Sequence, residues 1–306
     1  MTTRISRRDF LRSSAALGAG AALASTGAWT GTGLGRGLDF YQPGLDLAVV
    51  SGGTPARNCM AAVEALGGFS KFVTPGDKVV IKPNPIGTSP PEMALNTHPT
   101  MVEAVVRECV KAGAKEVIAI SHDQSQAAVE NGTIAAVERG GGTMVMANDI
   151  EQYQEIVIPR GRILRRELIA RDVLDADVFI NMPIAKHHAG AQVTFAMKNL
   201  MGVNWDRRRF HLTDLDLTIA ELATAVKHSL VILDANHVLM TNGPGGPGEV
   251  KVAGQVVAGV DPLAVDAFAT RYLDREPHQI RHIQAAYDLG VGEMDLDRLK
   301  IKEFTA

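Results

Sequence analysis

The sequence predicts an α/β fold: a mostly parallel β-sheet with helices on both faces and a site at the carboxyl ends of the strands. Three observations predict it. Short apolar runs alternate with segments of helical periodicity, the order that builds βαβ units with right-handed crossovers. One run, Glu116-Val-Ile-Ala-Ile120, is nearly all apolar, as strands buried on both faces are. Run after run also ends in an ionisable or amide group: Lys82 and Asn84, His122 and Asp123, Lys186 and His188, Asp234, and Asp261 with Asp266. In a parallel sheet these ends share one edge, so distant segments converge on one crevice.

Taken in order, residues 45–50 form the first strand. A helix follows over 55–66, with Pro55 in its first turn and Gly67-Gly68 past its end. Strand 78–82 stops at Pro83-Asn84-Pro85, which cannot continue a ladder. Helix 99–112 carries a stripe of Met101, Val102, Val105, Val106, Cys109 and Val110, and Gly113 ends it. After strand 116–120 come a helix over 125–139, a strand over 143–147, an edge strand over 155–158 and a helix over 167–174. The apolar run 177–180 is the next strand, with Lys186 and His188 on the loop leaving it. Residues 193–197 start a short helix that carries Lys198 and Asn199. A helix over 215–228 leads to strand 230–234, and 255–259 is the last core strand. Asp261 caps a helix with Pro262 at its first position. Asp266 reads as an acid on that helix's surface, and 278–289 is the final helix.

With 306 residues, 46% hydrophobic and 21% charged, the chain can bury a large core. Its net charge of −3, with acids and bases interspersed, points to no nucleic acid and no anionic membrane as partner. The histidines are more telling, since seven of the nine lie between His98 and His237, mostly beside strand ends. Cys59 and Cys109 are the only cysteines, and a cluster needs four thiolates or mixed ligands, so no iron–sulfur cluster is expected in this chain. Two buried free thiols on helix faces is the preferred reading over a disulfide formed after export.

Residues 1–28 stand apart from the fold. Ser6-Arg-Arg-Asp-Phe-Leu11 resembles a twin-arginine export signal, which implies the twin-arginine translocase as a partner and a periplasmic destination. The run 15–24 is too short and too rich in Ala and Gly to span a bilayer stably, and Ala22-Leu-Ala24 offers a small-x-small cleavage site. That route carries folded chains, often with a cofactor already loaded. Residues 29–44, with five glycines, read as a flexible linker, leaving 45–306 as the α/β domain.

The segment Asn181 to Gly202 concentrates the chemistry. Lys198 lies in Phe195-Ala-Met-Lys-Asn-Leu-Met201, where an ammonium among apolar neighbours needs an anion or must lose its proton. A solvated loop and a surface helix would not need such a residue. Asn181-Met-Pro-x-x-Lys-x-His188 followed by Met197-Lys-Asn-Leu-Met-Gly202 resembles the signature of the domain of unknown function 362 family. Lys82-Pro-Asn84, Thr97-His-Pro99, Asp234-Ala235, Asn242-Gly-Pro244 and Asp261-Pro-Leu-Ala-Val-Asp266 fall in that family's order. Relatives often carry a ferredoxin module that this chain lacks, so a separate ferredoxin is one partner the resemblance implies.

Two histidines and a lysine in a crevice suit proton transfer, metal ligation or both. The candidate catalytic residues are His188, Lys198 and His122. Lys198, Lys186, Lys82, Asn84 and Asn199 are candidates to bind a cofactor or small-molecule ligand. No His-x-x-x-His or Cys-x-x-Cys spacing occurs, so a divalent metal would draw its ligands from distant segments, with His188, His211 and Asp123 as candidates. His188-Ala-Gly-x6-Met-Lys198 is also similar to the stretch of nickel-pincer lactate racemases that holds a proton-transfer histidine and the lysine tethering the nickel-pincer nucleotide. That family's Gly-Gly before the lysine is Ala196-Met197 here, and its aspartate-threonine-arginine signature is replaced by Lys82-Pro-Asn84. The loop Asn242 to Gly248 reads as a backbone anion site, a rigid lid or a simple turn. His228, His278 and His282 read as ordinary packed or surface residues, and His237 stays open. The expectation is an exported enzyme that uses a metal or cofactor for proton or electron transfer on a small oxygenated substrate. Its rivals are a periplasmic ligand- or metal-binding protein and a ferredoxin-partnered redox accessory.

Overall fold

The computed structural model describes residues 44–122 and 125–306; the signal segment, the linker up to residue 43 and Asp123 lie outside them. Most elements follow the expected order: β1 (Leu47–Ser51), α1 (Pro55–Ala65), β2 (Lys78–Pro83), α2 (Pro99–Lys111), β3 (Glu116–Ser121), α3 (Ser125–Glu130), α4 (Thr133–Gly140) and β4 (Thr143–Met146). Next come β5 (Tyr153–Val157), β6 (Arg166–Ala170), α5 (Arg171–Leu174), β7 (Val178–Met182), β8 (Ile184–His188), β9 (Gln192–Thr194), α6 (Ala196–Asn199) and α7 (Arg207–Leu212). The chain then runs through α8 (Leu215–Ala225), β10 (Leu230–Leu239), β11 (Val250–Gly259), α9 (Pro262–Ala269), α10 (Arg281–Asp288) and β12 (Ile301–Thr305).

The large sheet has the order β12-β1-β11-β10-β7-β2-β3-β4, with β8 joined to β10 and β9 joined to β8. Its pairs are parallel from β10 to β4, and β11 alone runs antiparallel to both of its neighbours. Alternation along β2 serves two cores. Val79 and Ile81 pack with Cys59, Val63, Met101 and Val105 of α1 and α2. Val80 packs on the other face with Met197, Ile219 and Ala264 of α6, α8 and α9. Helices therefore cover both faces, as expected. Cys59 and Cys109 are free and buried. Among the described residues, no helix is long and apolar enough to cross a membrane.

Several expectations need correction. The helix read over 125–139 is broken at Asn131-Gly132, where Gly132 adopts a φ of 81° and the Asn131 side chain accepts from the Thr133 N–H. Residues 166–170 are a strand, because β5 offers them an antiparallel partner in a separate two-stranded sheet, and only 171–174 are helical. Lys186 and His188 lie on β8 rather than on a loop. Pro183 interrupts β7, the Asp234 N–H takes the Pro183 carbonyl at 2.9 Å, and the ladder resumes with Lys186 opposite Thr194 of β9. Strand β10 continues to Leu239 through a bulge between Ala235 and His237. Asp266 is fully buried, not a surface acid, and β12 extends the sheet beyond the strand taken as last.

Candidate functional site

The edge of the sheet is organised by amides. Thr97 donates from its hydroxyl to the Met182 carbonyl (2.7 Å) and accepts the Asn84 N–H (2.9 Å), which ties the ends of β2 and β7 together. Asn84 Nδ2 donates to Asn199 Oδ1 (2.8 Å). Asn199 Nδ2 donates in turn to the Lys82 carbonyl (3.1 Å) and to Asn181 Oδ1 (2.8 Å). Asn181 Nδ2 reaches the Ala196 carbonyl (2.8 Å) and His228 Nε2 (3.0 Å). Asp234 accepts the His98 N–H (2.8 Å) and the Asn236 N–H (3.0 Å), so it anchors the neighbouring loop. Lys82, Asn84, Thr97, Asn181, Asn199 and Asp234 are buried, and the amides of Asn84, Asn181 and Asn199 are satisfied, as a buried polar network requires.

Helix α6 is one short turn, too short to stand by itself. The fully buried Asp266 of α9 holds its start, accepting the Ala196 N–H (2.7 Å) and the Met197 N–H (3.0 Å). Burial pushes this carboxyl up to about 8, against the pull of the two N–H bonds. Asp261 caps α9 through Leu263 and Ala264, as expected.

Above this floor lies a cavity of about 480 Å³ lined by Lys82, Lys198, Arg207, Arg208, His188, His211 and His122, together with Asn84, Thr194 and Asn199. Lys186 lies beneath it, fully buried, donating to Asn84 Oδ1 (3.1 Å) and the Leu95 carbonyl (2.7 Å). Lys82 donates to the Pro83 carbonyl, and its stem lies where a Cβ on Gly202 would collide with it. Lys198 is half-buried, and no described residue gives it a hydrogen bond or an ion pair. Burial is the main reason these ammonium groups lose affinity for protons. Lys82 falls to about 7, with Arg207 adding repulsion. Lys186 also falls to about 7, with Lys198 and Lys82 contributing, and Lys198 falls to about 8, with Arg207 contributing. Asp206 is the one acid among the lining residues described, and its carboxylate accepts the Arg209 N–H at the start of α7.

His188 is buried, and its Nδ1 accepts the N–H groups of Gly190 (3.1 Å) and Ala191 (3.0 Å). The ring hydrogen is therefore on Nε2. Burial first, then Lys198, His211, Lys186 and His187, hold this imidazole down to about 3. His211 stacks on it with centroids 6.2 Å apart and planes within 13°. Across the crevice, His122 Nδ1 donates to the Asn204 carbonyl (3.1 Å), and the ring stacks on Trp205 at 5.2 Å. That pair separates the crevice from a second cavity of about 520 Å³, whose arginines are matched by acids in the pairs Arg166–Glu155 and Arg209–Glu167, both at 2.6 Å.

The sequence-derived candidates Lys82, Asn84, His122, His188, Lys198, Asn199 and His211 thus meet around one crevice, with Lys186 behind it. Asp123 lies outside the described residues. Among the described residues, no group of three His, Cys, Asp or Glu side chains is placed to hold a metal ion. The stacked rings of His188 and His211 run side by side, and Nδ1 of His188 is already taken. The described side chains do not make up a metal donor set. The glycine loop offers no backbone anion site through Gly243 or Gly246: Gly243 N–H goes to His187 Nδ1 (3.0 Å) and Gly246 N–H to the Asn242 carbonyl (3.0 Å). Pro244 instead forms part of the cavity wall. Thr194, Arg207, Arg208 and Gly202 were missed as site residues, and Asp266 was placed on a helix surface. The run Arg207-Arg208-Arg209 in a chain of net negative charge was the one readable signal among them.

The profile of a domain of unknown function, DUF362, matches residues 79–271, and that of the twin-arginine translocation pathway signal sequence matches residues 4–24. A thylakoid-associated protein of Synechocystis sp. is 31% identical over 255 residues, covering 75% of this chain and 73% of that protein. Two solved structures show a fainter likeness. The lactate racemase apoprotein from Thermoanaerobacterium thermosaccharolyticum is 12% identical with a TM-score of 0.46, over 76% of this chain and 58% of that one. A protein from Thermotoga maritima is 12% identical with a TM-score of 0.41 over the same shares.

Proposed function

Since this chain belongs to the domain of unknown function 362 family and carries a twin-arginine signal sequence for export across the membrane, we propose that it is a periplasmic enzyme transferring protons on a small oxygenated substrate. The observation that carries this reading is Lys198, an amine lining the crevice with no partner among the described residues and with its proton affinity lowered to about 8. A base works best when its pKa lies near the working pH, and Lys198 meets that condition while His188, at about 3, does not. The roles therefore divide. Lys198 takes up and returns the proton, or tethers a cofactor by its amine. His188, neutral and protonated on Nε2, donates a hydrogen bond to a substrate oxygen. Lys82 and Lys186 supply positive potential from below, and Asn84 and Asn199 fix the floor. A nickel-pincer-like nucleotide, if it is the cofactor, would supply the chemistry at carbon.

The test uses protein purified from its native host and incubated in D2O with a panel of 2-hydroxy and 2-oxo acids. That panel follows the likeness of residues 188–198 to lactate racemases. Mass spectrometry reads deuterium at carbon, and chiral chromatography reads inversion. Wild type should turn over at least one panel member, and Lys198→Met should lose that activity by about 100-fold or more. Inactive wild type, or equal activity in Lys198→Met, would overturn the proposal.

A further inference from the structure

The polar atoms lining the crevice are not balanced between donors and acceptors. Asn84 Oδ1 is taken by Lys186, Asn199 Oδ1 by Asn84 Nδ2, and one oxygen of Asp206 by the Arg209 N–H. Donors without a described partner remain on the cavity wall: Lys198 Nζ, His188 Nε2–H and the guanidinium of Arg208. Thr194 adds an independent sign. It is 2% exposed and lines the cavity, and its Oγ1 has no hydrogen-bond partner among the described residues. A buried hydroxyl left unsatisfied is unfavourable, so such a group in a cavity wall marks where a bound atom completes it. Among the described lining residues a cation would meet Lys82, Lys198, Arg207 and Arg208 against the single acid Asp206.

We propose that the crevice is an oxyanion-binding site, in which the carboxylate or phosphoryl group of the ligand accepts from Thr194 Oγ1 and His188 Nε2, with Arg208 adding positive charge. This deepens the proton-transfer reading of the same site and rests on it for the ligand's being a substrate. Thr194 sets affinity for the anion, and the substrate's reacting part lies on the Lys198 side.

Isothermal titration calorimetry on the full mature chain tests it with three probes: inorganic phosphate, lactate and the uncharged propane-1,2-diol. At least one anion should bind, and the diol should not. Phosphate alone would indicate a phosphoryl ligand and lactate alone a carboxylate. Thr194→Val should weaken the anion by about tenfold or more while the melting temperature holds or rises, because the orphaned hydroxyl is gone. Thr194→Ser keeps the donor and should bind as wild type does, which guards against a merely misfolded valine variant. The proposal is overturned if neither anion binds, if the diol binds as well as the anions, or if Thr194→Val binds unchanged. Anion binding without isotope exchange would leave this site standing and remove the proton-transfer reading. Lys198-dependent exchange without anion binding would do the reverse.

Discussion

Lys186 and Lys198 belong to one short motif and are held in opposite ways. Lys186 is fully buried and directs its ammonium at Asn84 Oδ1 and the Leu95 carbonyl. Replacing it by Met strands both acceptors, so Lys186→Met should lower stability by about 1–3 kcal/mol. Lys198 has no partner to strand among the described residues and is repelled by Arg207, so Lys198→Met should cost no more than about 0.5 kcal/mol or add stability. Urea denaturation of the two variants separates them, and equal losses would show that Lys198 has a structural partner after all. Gly202 offers a subtler probe. A methyl there meets only the flexible end of Lys82, so Gly202→Ala should leave the fold within about 1 kcal/mol of wild type while moving that amine. Phosphate affinity unchanged in Gly202→Ala would mean that the position of Lys82 does not matter. At this scale the sequence named the lysines, His122, His188 and the asparagines because charged or amide groups stood out against apolar runs. Thr194 could not be singled out, since a threonine in Gln-Val-Thr looks like any strand residue until its hydroxyl is found buried without a partner.

At the scale of elements, α6 carries Lys198 and Asn199 but owes its place to a carboxylate in another helix. Asp266 takes two N–H groups at the start of that turn, so Asp266→Asn, which keeps the volume but turns one acceptor into a donor, should destabilise by about 2 kcal/mol. It should also reduce lactate or phosphate binding more than Asp261→Asn, whose side chain caps α9 and braces Glu293 away from the crevice. Equal effects of the two substitutions on binding would show that Asp266 does not position Lys198. The strands β2, β3 and β7 and the helices α1 and α2 were legible because burial on both sheet faces, or on one helix stripe, writes a strong apolar pattern. The hairpin β8–β9 was not, because Lys186-His187-His188 reads as solvated loop and its burial depends on partners far away in the chain. Strand β6 was taken for a helix because its partner β5 lies across a turn that the pattern does not reveal. Asp266 was misplaced for a similar reason, since an acid in Val265-Asp-Ala267 has no sequence mark showing that backbone N–H groups wait for it.

For the whole molecule, export and titration give the last two expectations. Changing Arg7 and Arg8 to Lys should hold the folded protein in the cytoplasm, as cell fractionation would show; an unaltered distribution would separate the signal motif from export. The pH dependence of stability follows from the groups gathered at the sheet edge. Lys82, Lys186 and Lys198 bind protons less tightly folded, at about 7, 7 and 8, than at their ordinary 10.5. Between those values the unfolded chain holds more protons, so this penalty is full below pH 7 and is relieved as pH rises. Asp266 acts oppositely: raised from 3.8 to about 8, it favours the folded chain at low pH and loses that contribution as pH climbs through 8. His188 and His228, held near 3 instead of 6.5, destabilise the fold as pH falls below 6.5. Above pH 9 the buried thiols of Cys59 and Cys109, both raised, oppose the lysines. The lysines therefore act without strong opposition only between pH 8 and 9. There the melting temperature should rise with pH, each lysine contributing on the order of 1 kcal/mol per pH unit at most. Lys198→Met should flatten the rise, and saturating phosphate or lactate should flatten it further by keeping the remaining ammonium groups charged and paired. Thermal unfolding at half-unit steps from pH 7 to 9.5, in buffers free of both anions, checks all three parts. A melting temperature that falls steadily across pH 8 to 9 in wild type would show that the lysines keep ordinary proton affinities in the fold.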